Sequence, residues 1–289
     1  MVNAMHLDAN NHAQSKALDQ QFNTLLSNLA SKQSQRQLQD KLRQSTSHFL
    51  GSYAETLWLH YLEHHPRYEL IAHNLQIHEQ GKTVGEFDFI VFDTLHKTHV
   101  HQELAIKFYL GHKHQWIGPQ TVDRLDLKAS KLKEKQLKLS QHAAAKETLA
   151  SLGVATLTHE CIVKGRLFQP EGYTDASNCS IPIYVNDTHL KSTWYRHKHF
   201  KPTSNNDETY WKILNKREWM APLTLDQHDP HNKCIARYDL DHYLDKHFAD
   251  QGRPVMLGRF KAQNGQFIET DKYFIVSDKW PNDTQKQTV

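Results

Sequence analysis

The chain has 289 residues, enough for one large domain or two small ones, and a net charge of only +3 with neutral histidine. Because the charge is nearly balanced, any signal for nucleic-acid binding has to come from local clusters of basic residues. The cysteines, at positions 161, 179 and 234, are too far apart for a CxxC site, and their odd number argues against a disulfide framework. The sequence has no apolar run of membrane-spanning length and no signal-peptide pattern, which predicts a cytoplasmic protein without a membrane segment.

Hydrophobic periodicity predicts an α-β-β-β-α-β order of elements after a polar amino-terminal segment and a first helix. Capping residues, glycines and prolines mark the ends of the elements. The predicted elements are a helix over 16–43, a helix capped by Thr46 or Ser47 that ends before Pro66, a strand over 69–78, strands over 84–92 and 99–109, a helix over 120–151 and a strand over 154–163.

The strands over 84–92 and 99–109 form a predicted hairpin with chemical groups on one face. The apolar side is predicted to carry Phe87, Phe89 and Val91 on the first strand and Leu104, Ile106 and Phe108 on the second. The other side carries Glu86, Asp88, Glu103, Ala105 and Lys107. Symmetric folding about residues 95 and 96 places Asp88 opposite Glu103, with Cβ atoms about 5 Å apart. These like charges need compensation by a divalent cation or a lysine, unless the face is simply solvated.

Two residues on the flanking helices are further candidates for the same site. Glu55 lies at the margin of the apolar stripe of the helix before Pro66, where an acid is either solvated or directed toward the hairpin. Gln136 falls within the apolar stripe of the helix over 120–151. A lone amide there is either satisfied by backbone or water, or belongs to the site.

The helix over 120–151 also carries a predicted basic ridge without acidic residues. An acid-free ridge several turns long is typical of contact with a phosphate backbone, although lysines on helices often only face solvent. The ridge consists of Arg124, Lys128, Lys131, Lys135, Lys138 and Lys146. The 22 histidines form pairs without an HExxH or zinc-finger pattern, so surface composition explains them better than a zinc site.

The region 171–289 has no recognisable catalytic motif. Its aromatic-basic stretches STWYRHKHFK and YWKILNKREWM could stack on bases and contact phosphates, or could pack a second small core. A terminal hairpin is predicted around Asn264 and Gly265, with a further strand near 272–277.

The constellation of a helix with Glu, a strand with Asp, a strand with Glu and Lys, and then a helix and a strand resembles the PD-(D/E)xK nuclease superfamily. The stretches LGSYAETLW, VGEFDFIVFD, HQELAIKFYLG and WIGPQTVDRLDLK, with YWKILNKREWMAPL and KYFIVSDKWP, resemble an uncharacterised bacterial family, domain of unknown function 1853. These stretches extend over roughly 50–280. The resemblance implies three segments: 1–45 with the first helix, a restriction-endonuclease-like αβββαβ core with a mixed sheet over 46–170, and an α+β extension over 171–289.

The nuclease resemblance assigns roles by position. It implies that Asp88 is the motif aspartate, Glu103 the second acid and Lys107 the motif lysine, while Glu55 matches the first-helix acid. Gln136 resembles a glutamine of the RecB-type members. The implied cofactor is Mg2+ or Mn2+, held by the three acids, and the implied substrate is nucleic acid, either DNA or RNA.

Two positions depart from the nuclease pattern. Phe87 replaces the proline of the motif, and Ala105 stands where the usual acid-x-lysine spacing puts the acid. Glu103 lies one strand repeat earlier on the same face, about 7 Å away. Either the acid has migrated to Glu103, or the protein is a non-catalytic nucleic-acid-binding module. An interaction protein unrelated to nucleic acids is the third alternative.

Overall fold

A computed structural model describes residues 23–45, 47–131, 138–172, 185–186, 189–201, 209–250 and 252–282, without the side chains of residues 129–131. Within these residues the protein is mixed α/β, with helices, ten strands, and both antiparallel and parallel strand pairs. The predicted α/β class with a mixed sheet is therefore confirmed. None of the described helices is long and apolar enough to cross a membrane.

The regular elements are numbered in chain order. The helices are α1 (Lys32–Gln44), α2 (Leu50–His64), α3 (Leu125–Lys131), α4 (Ala143–Ser151) and α5 (Arg237–Asp250). The strands are β1 (Tyr68–Glu79), β2 (Lys82–Asp93), β3 (Thr98–His112), β4 (Gln115–Ile117), β5 (Leu157–Pro170), β6 (Lys191–Arg196), β7 (Thr209–Ile213), β8 (Thr224–Asp226), β9 (Val255–Gln263) and β10 (Gln266–Val276). Residues 23–30 are also helical.

Backbone contacts divide the chain into two units. The first unit comprises residues 1–106 and 129–164, and the second comprises residues 107–128 and 165–289. Strands of the first unit follow the order β1-β2-β3-β5, and those of the second follow β5-β6-β10-β9-β7. The division into segments 1–45, 46–170 and 171–289 stays a prediction.

Helices pack on both faces of the sheet in the first unit. Neighbouring residues of a strand point to opposite faces, and both Ile90 and Val91 are fully buried. On one face, α2 forms an apolar cluster with the sheet, made of Trp58, Leu62, Phe89, Val91 and Val100. On the other face, α4 and the turn before it form a cluster made of Leu139, Ala145, Leu149, Val154, Ile77, Phe87 and Ile90. The first unit is therefore a helix–sheet–helix arrangement.

The predicted placement of Phe87 on the same side as Phe89 is wrong. Phe87 packs in the α4 cluster, whereas Phe89 packs in the α2 cluster. The two residues pair with Leu75 and His73 of β1, and Asn74 lies between those partners. Asn74 has φ +47°, in the left-handed region that asparagine tolerates better than most residues. This conformation interrupts the regular alternation of sides, which the sequence pattern assumes.

The predicted register of the β2–β3 hairpin is confirmed. Phe89 pairs with Gln102 and Asp93 pairs with Thr98, so the symmetric fold about residues 95 and 96 is the observed one. The described ladder stops at Phe89, one position before Asp88 would meet Glu103 in the same register. The hairpin therefore brings the two acids together at the point where regular pairing ends.

The helix predicted over 120–151 is wrong as a continuous element. Helix α3 begins at Leu125, and a 3₁₀ turn over Leu139–Gln141 precedes α4. His142 then takes an extended conformation, φ −67° and ψ 140°, as the residue before α4. Its extended backbone breaks the hydrogen-bonding pattern that a continuous helix requires. Residues 132–137 lie outside the described part of the chain.

Two other element boundaries also differ from prediction. The first predicted helix is divided at Ser31, whose side chain accepts a hydrogen bond from the backbone N–H of Ser34 and so caps α1. Residues 16–22 of that helix lie outside the described residues. Strand β5 starts at Leu157, later than the predicted 154, because the backbone N–H of Val154 still bonds back to the end of α4. The strand continues to Pro170, beyond the predicted end at 163.

The second unit contains an aromatic core of its own. The buried cluster is made of Phe200, Trp211, Leu240, Leu244, Val255, Leu257 and Ile275. The predicted hairpin around Asn264 and Gly265 is confirmed, since both have positive φ between β9 and β10. The separate strand predicted near 272–277 is wrong, because those residues continue β10 and pair with β6 in parallel. Trp211, from one of the aromatic-basic stretches, is therefore a core residue.

Candidate metal-binding carboxylate site

The side chain of Asp88 is fixed where the β2–β3 ladder ends. Its Oδ2 accepts a hydrogen bond of 2.8 Å from the backbone N–H of Leu104. The carboxylate thus binds a strand N–H group beyond the last pair of the ladder, between Phe89 and Gln102. This bond holds the Asp88 carboxyl against β3, next to Glu103.

The electrostatic surroundings of Asp88 are strongly negative. The pKa of its carboxyl is raised to about 7, mainly by burial, then by the neighbouring charge of Glu103 and to a smaller extent by those of Glu55 and Glu86. The hydrogen bond from Leu104 lowers the pKa but does not offset these effects. A carboxyl with such a pKa lacks nearby positive charge to stabilise its ionised form. A bound cation would supply that charge.

Glu55 of α2 belongs to the same electrostatic group. Burial raises the pKa of its carboxyl, and the charges of Glu86 and Glu103 raise it further. The side chain lines a cavity of about 230 Å³ whose wall also includes Ser52, Asn74 and Phe89. Glu55 is thus close enough to Glu86 and Glu103 for their charges to act on it, and the cavity beside it has room for water molecules. The role of Glu55 in a site stays a prediction.

Glu103 is buried rather than solvated, with only 3% of its surface exposed. Its Oε2 lies 3.6 Å from Nε2 of His101, which is fully buried. Nδ1 of His101 in turn lies 3.3 Å from Nδ1 of His159. Nε2 of His159 lies 3.1 Å from Oγ of Ser140. A chain of polar groups thus extends from the Glu103 carboxylate across the α4 face of the sheet.

This polar chain is not among the sequence predictions. The available signal was His101 itself, which shares a strand face with Glu103 two residues away. His159 and Ser140 could not be linked to it from the sequence, because they are distant along the chain. Burial and the neighbouring His101 lower the pKa of His159, which favours its neutral form as a hydrogen-bond partner.

A second polar connection fixes β3 to α2. Nε1 of Trp58 donates to Oε1 of Gln102 at 3.1 Å, and Nε2 of Gln102 donates to Glu160 at 2.9 Å. Gln102 is almost fully buried, and both of its amide atoms have partners. These bonds hold the strand position next to Glu103 and so restrict where its carboxylate can lie.

Lys107 forms an ion pair with Asp123 in the second unit. Asp123 also accepts a weak hydrogen bond, 3.5 Å long, from the hydroxyl of Tyr109. Ala105, at the position where the nuclease pattern has an acid, is buried. The ammonium of Lys107 is thus engaged with Asp123, and its role in a reaction stays a prediction.

The basic ridge predicted over 124–146 is not one helix face. Arg124 precedes α3 and pairs with Asp126, whereas Lys146 lies on α4 beyond the interruption at His142. Nucleic-acid binding by Lys128, Lys131, Lys135 and Lys138 stays a prediction. Lys135 and Gln136 lie outside the described residues, and so does the side chain of Lys131.

The donor set on the first unit suits a hard divalent cation. Asp88, Glu103 and Glu55 offer carboxylate oxygens, which Mg2+ and Mn2+ prefer over nitrogen or sulfur ligands. Their mutual electrostatic repulsion, seen in the raised pKa values of Asp88 and Glu55, would fall when a cation binds. The chemical type of these residues therefore fits such an ion.

Comparison with known proteins identifies a family without assigning an activity. Neither a curated protein nor a solved structure matches the chain significantly. A family model described as a domain of unknown function (DUF1853) matches residues 3–276, which is most of the chain. The chain therefore belongs to the DUF1853 family.

Proposed function

We propose that the protein is a divalent-metal-dependent nuclease with a restriction-endonuclease-like core that hydrolyses phosphodiester bonds of nucleic acid. The observation that carries the proposal is the electrostatic interaction of Asp88 with Glu103 and Glu55, with the pKa of Asp88 raised to about 7. Structural carboxylates are usually paired with cations and have lowered pKa values, whereas perturbed values in the opposite direction are typical of functional sites.

The order of elements supports the same proposal. Helix α2, strands β1 to β3, helix α4 and strand β5 follow one another with only β4 and α3 inserted. The acids lie on α2, β2 and β3, as in the nuclease resemblance. The helices cover opposite faces of the sheet in the first unit.

The chemistry requires neutralisation of charge that develops on the phosphate. A bound Mg2+ supplies positive charge and lowers the pKa of a coordinated water. Asp88 and Glu103 would hold it directly and Glu55 through a water. His101, whose Nε2 lies 3.6 Å from Oε2 of Glu103, would help to position that carboxylate. Lys107 would have to leave Asp123 before it could position the attacking water.

The central test is metal-dependent cleavage of mixed DNA and RNA substrates by wild type and by Asp88→Asn. We expect cleavage with Mg2+ or Mn2+ for wild type and a decrease of at least about 100-fold for the variant, because a metal ligand is removed. Glu69→Gln is the matched control, since Glu69 is an exposed acid on β1. Full activity of Asp88→Asn would contradict the proposal.

Substrate binding can be tested separately from cleavage. Replacement of Lys128, Lys131, Lys135 and Lys138 by Gln should lower the slope of log affinity against log salt by about 0.7 to 0.9 for each lysine that binds a phosphate. Four exposed lysines elsewhere, Lys82, Lys97, Lys233 and Lys246, provide a control with the same change in charge. Equal slopes for the two quadruple variants would show that the predicted lysines face solvent and do not bind phosphates.

A second candidate is a non-catalytic nucleic-acid-binding module. The specific observations that favour it are Ala105 at the usual acid position and the Lys107–Asp123 ion pair. Lys107→Met separates the two functions. In a nuclease it should lower turnover far more than substrate affinity, whereas in a binding module it should change affinity alone.

A further inference from the structure

The amino-terminal part of the first unit contains a second group of ligands, separate from the hairpin acids. His60, Glu63 and His64 lie on the last two turns of α2, and each offers one ligand atom within 4.8 Å of the others. Residues at spacings of three and four stand on one face of a helix, so the backbone alone keeps these side chains together. Two imidazoles and one carboxylate form a donor set for a borderline transition metal rather than for Mg2+.

The hydrogen bonds of His60 leave one ring nitrogen available inside the protein. His60 is 3% exposed, and its Nε2 lies 2.8 Å from Oγ of Ser34 on α1. Its Nδ1 is buried and has no hydrogen-bond partner among the described residues. This atom lies 4.0 Å from Oε2 of Glu63. A proton on Nδ1 would be a buried unsatisfied donor, so the favoured tautomer carries its proton on Nε2 and a lone pair on Nδ1.

The bonding of His64 leads to the same result. Its Nδ1 lies 2.8 Å from the backbone carbonyl oxygen of His60, which can only accept a hydrogen bond. Nδ1 therefore carries the proton, and Nε2 keeps the lone pair that a metal requires. The two imidazole rings are 4.2 Å apart between centroids. Both histidines thus have one nitrogen oriented by the protein and the other free to bind.

A cationic group already compensates the carboxylate of this cluster. The ammonium of Lys41, on α1, pairs with Oε2 of Glu63. The Lys41 side chain is about one-third exposed, so it can move into solvent when a metal ion takes its place.

We infer that His60, Glu63 and His64 form a binding site for a single Zn2+-like divalent ion, with Ser34 orienting His60 and Lys41 competing for Glu63. Three protein ligands leave one position for water or for another ligand. The site is independent of the proposed nuclease site, because its ligands are different residues.

The test is binding of Co2+ and Zn2+ to the full, tag-free chain. Equilibrium dialysis measures the affinity and stoichiometry, and the visible spectrum of the Co2+ form reports its ligands. His64→Gln and Glu63→Gln should each remove one tightly bound ion per chain or weaken it by at least about 100-fold. Ser34→Ala should weaken binding by about 10-fold, because it removes only the orienting partner. The control His48→Gln, which replaces an exposed histidine, should bind normally.

Lys41→Met gives a result that nonspecific binding to the many other histidines would not produce. Removal of the competing ammonium should strengthen binding of the metal several-fold, provided that Glu63 is a ligand. Unchanged or weaker binding in Lys41→Met would overturn the inference. Wild-type stoichiometry and affinity in a folded His64→Gln variant would do the same.

Discussion

Two aspartates on strand β2 show opposite electrostatic behaviour. The pKa of Asp88 is raised to about 7 by burial and by Glu103, whereas the pKa of Asp93 lies well below its ordinary value. Burial acts in the same direction on both, so the difference comes from their neighbours. Asp88 is surrounded by carboxylates, and Asp93 by cationic and hydrogen-bonding groups.

The surroundings of Asp93 satisfy both of its oxygens. Arg67 donates from Nε to Oδ1 at 2.8 Å and from a terminal nitrogen to Oδ2 at 2.5 Å. The backbone N–H of Leu95 also donates to Oδ1, and Nδ1 of His96 lies 2.8 Å from Oδ2. Such a complete shell is typical of a structural carboxylate that fixes a turn. By comparison, the Asp88 carboxyl at the other end of β2 is surrounded by like charges, which disfavours its ionised form.

The largest change in the free energy of unfolding is expected at the Asp93 end of β2. Arg67→Met leaves the buried Asp93 carboxylate without its main partner and should reduce the free energy of unfolding by about 3 kcal/mol at neutral pH. Urea denaturation measures the change. Arg43→Met is the control, because Arg43 is exposed and lies 3.6 Å from Asp40, and it should cost less than about 0.5 kcal/mol. Equal effects of Arg67→Met and Arg43→Met would show that Asp93 does not depend on Arg67, and would contradict the difference between the two aspartates.

At the Asp88 end of β2, substitution is expected to increase the free energy of unfolding instead of reducing it. A carboxyl pKa raised from 3.8 to about 7 means that the folded state loses stability as pH rises between these values. Asp88→Asn should therefore increase the free energy of unfolding of the metal-free protein at pH 8, by about 1–2 kcal/mol after solvent screening. Near pH 4 the gain should disappear, because Asp88 is then protonated. A stability gain of the same size at both pH values would assign the effect to packing.

Glu55→Gln should show a weaker form of the same behaviour. Its pKa is raised by burial and by Glu86 and Glu103, but the side chain is only partly buried. Removal of this like charge should stabilise the metal-free protein by about 0.5 kcal/mol at pH 8. Thermal melting of Glu55→Gln beside Asp88→Asn and the double variant measures whether the two effects add. Full additivity would show that the two carboxylates do not interact.

The hairpin was predictable because its information is local. Alternation on both strands and the polar turn between them determine the register, and the observed pairs of Phe89 with Gln102 and of Asp93 with Thr98 follow it. The proximity of Asp88 to Glu103 follows from that register. The side taken by Phe87 was not predictable, because it depends on the left-handed conformation of Asn74 on the neighbouring strand.

The regions that failed prediction depend on contacts distant in sequence. Helical propensity continues through Leu139 and His142, and nothing local signals that Leu139 will pack against Phe87 instead of continuing a helix. The buried histidine chain likewise joins His101 to His159, on different strands. The candidate acids could be identified from the sequence pattern, whereas the buried polar groups beside them could not.

The interrupted alternation of β2 has a consequence for cooperativity. Because Phe87 and Phe89 enter different apolar clusters, one short length of backbone is anchored in both layers of the first unit. Neither layer can open fully without releasing the strand that the other requires. Amide hydrogens of Ile90 and Val91 should therefore exchange at the same slow rate, through one opening event that also frees α2 and α4. The residues that hold Asp88 in place would then be among the last in this unit to unfold.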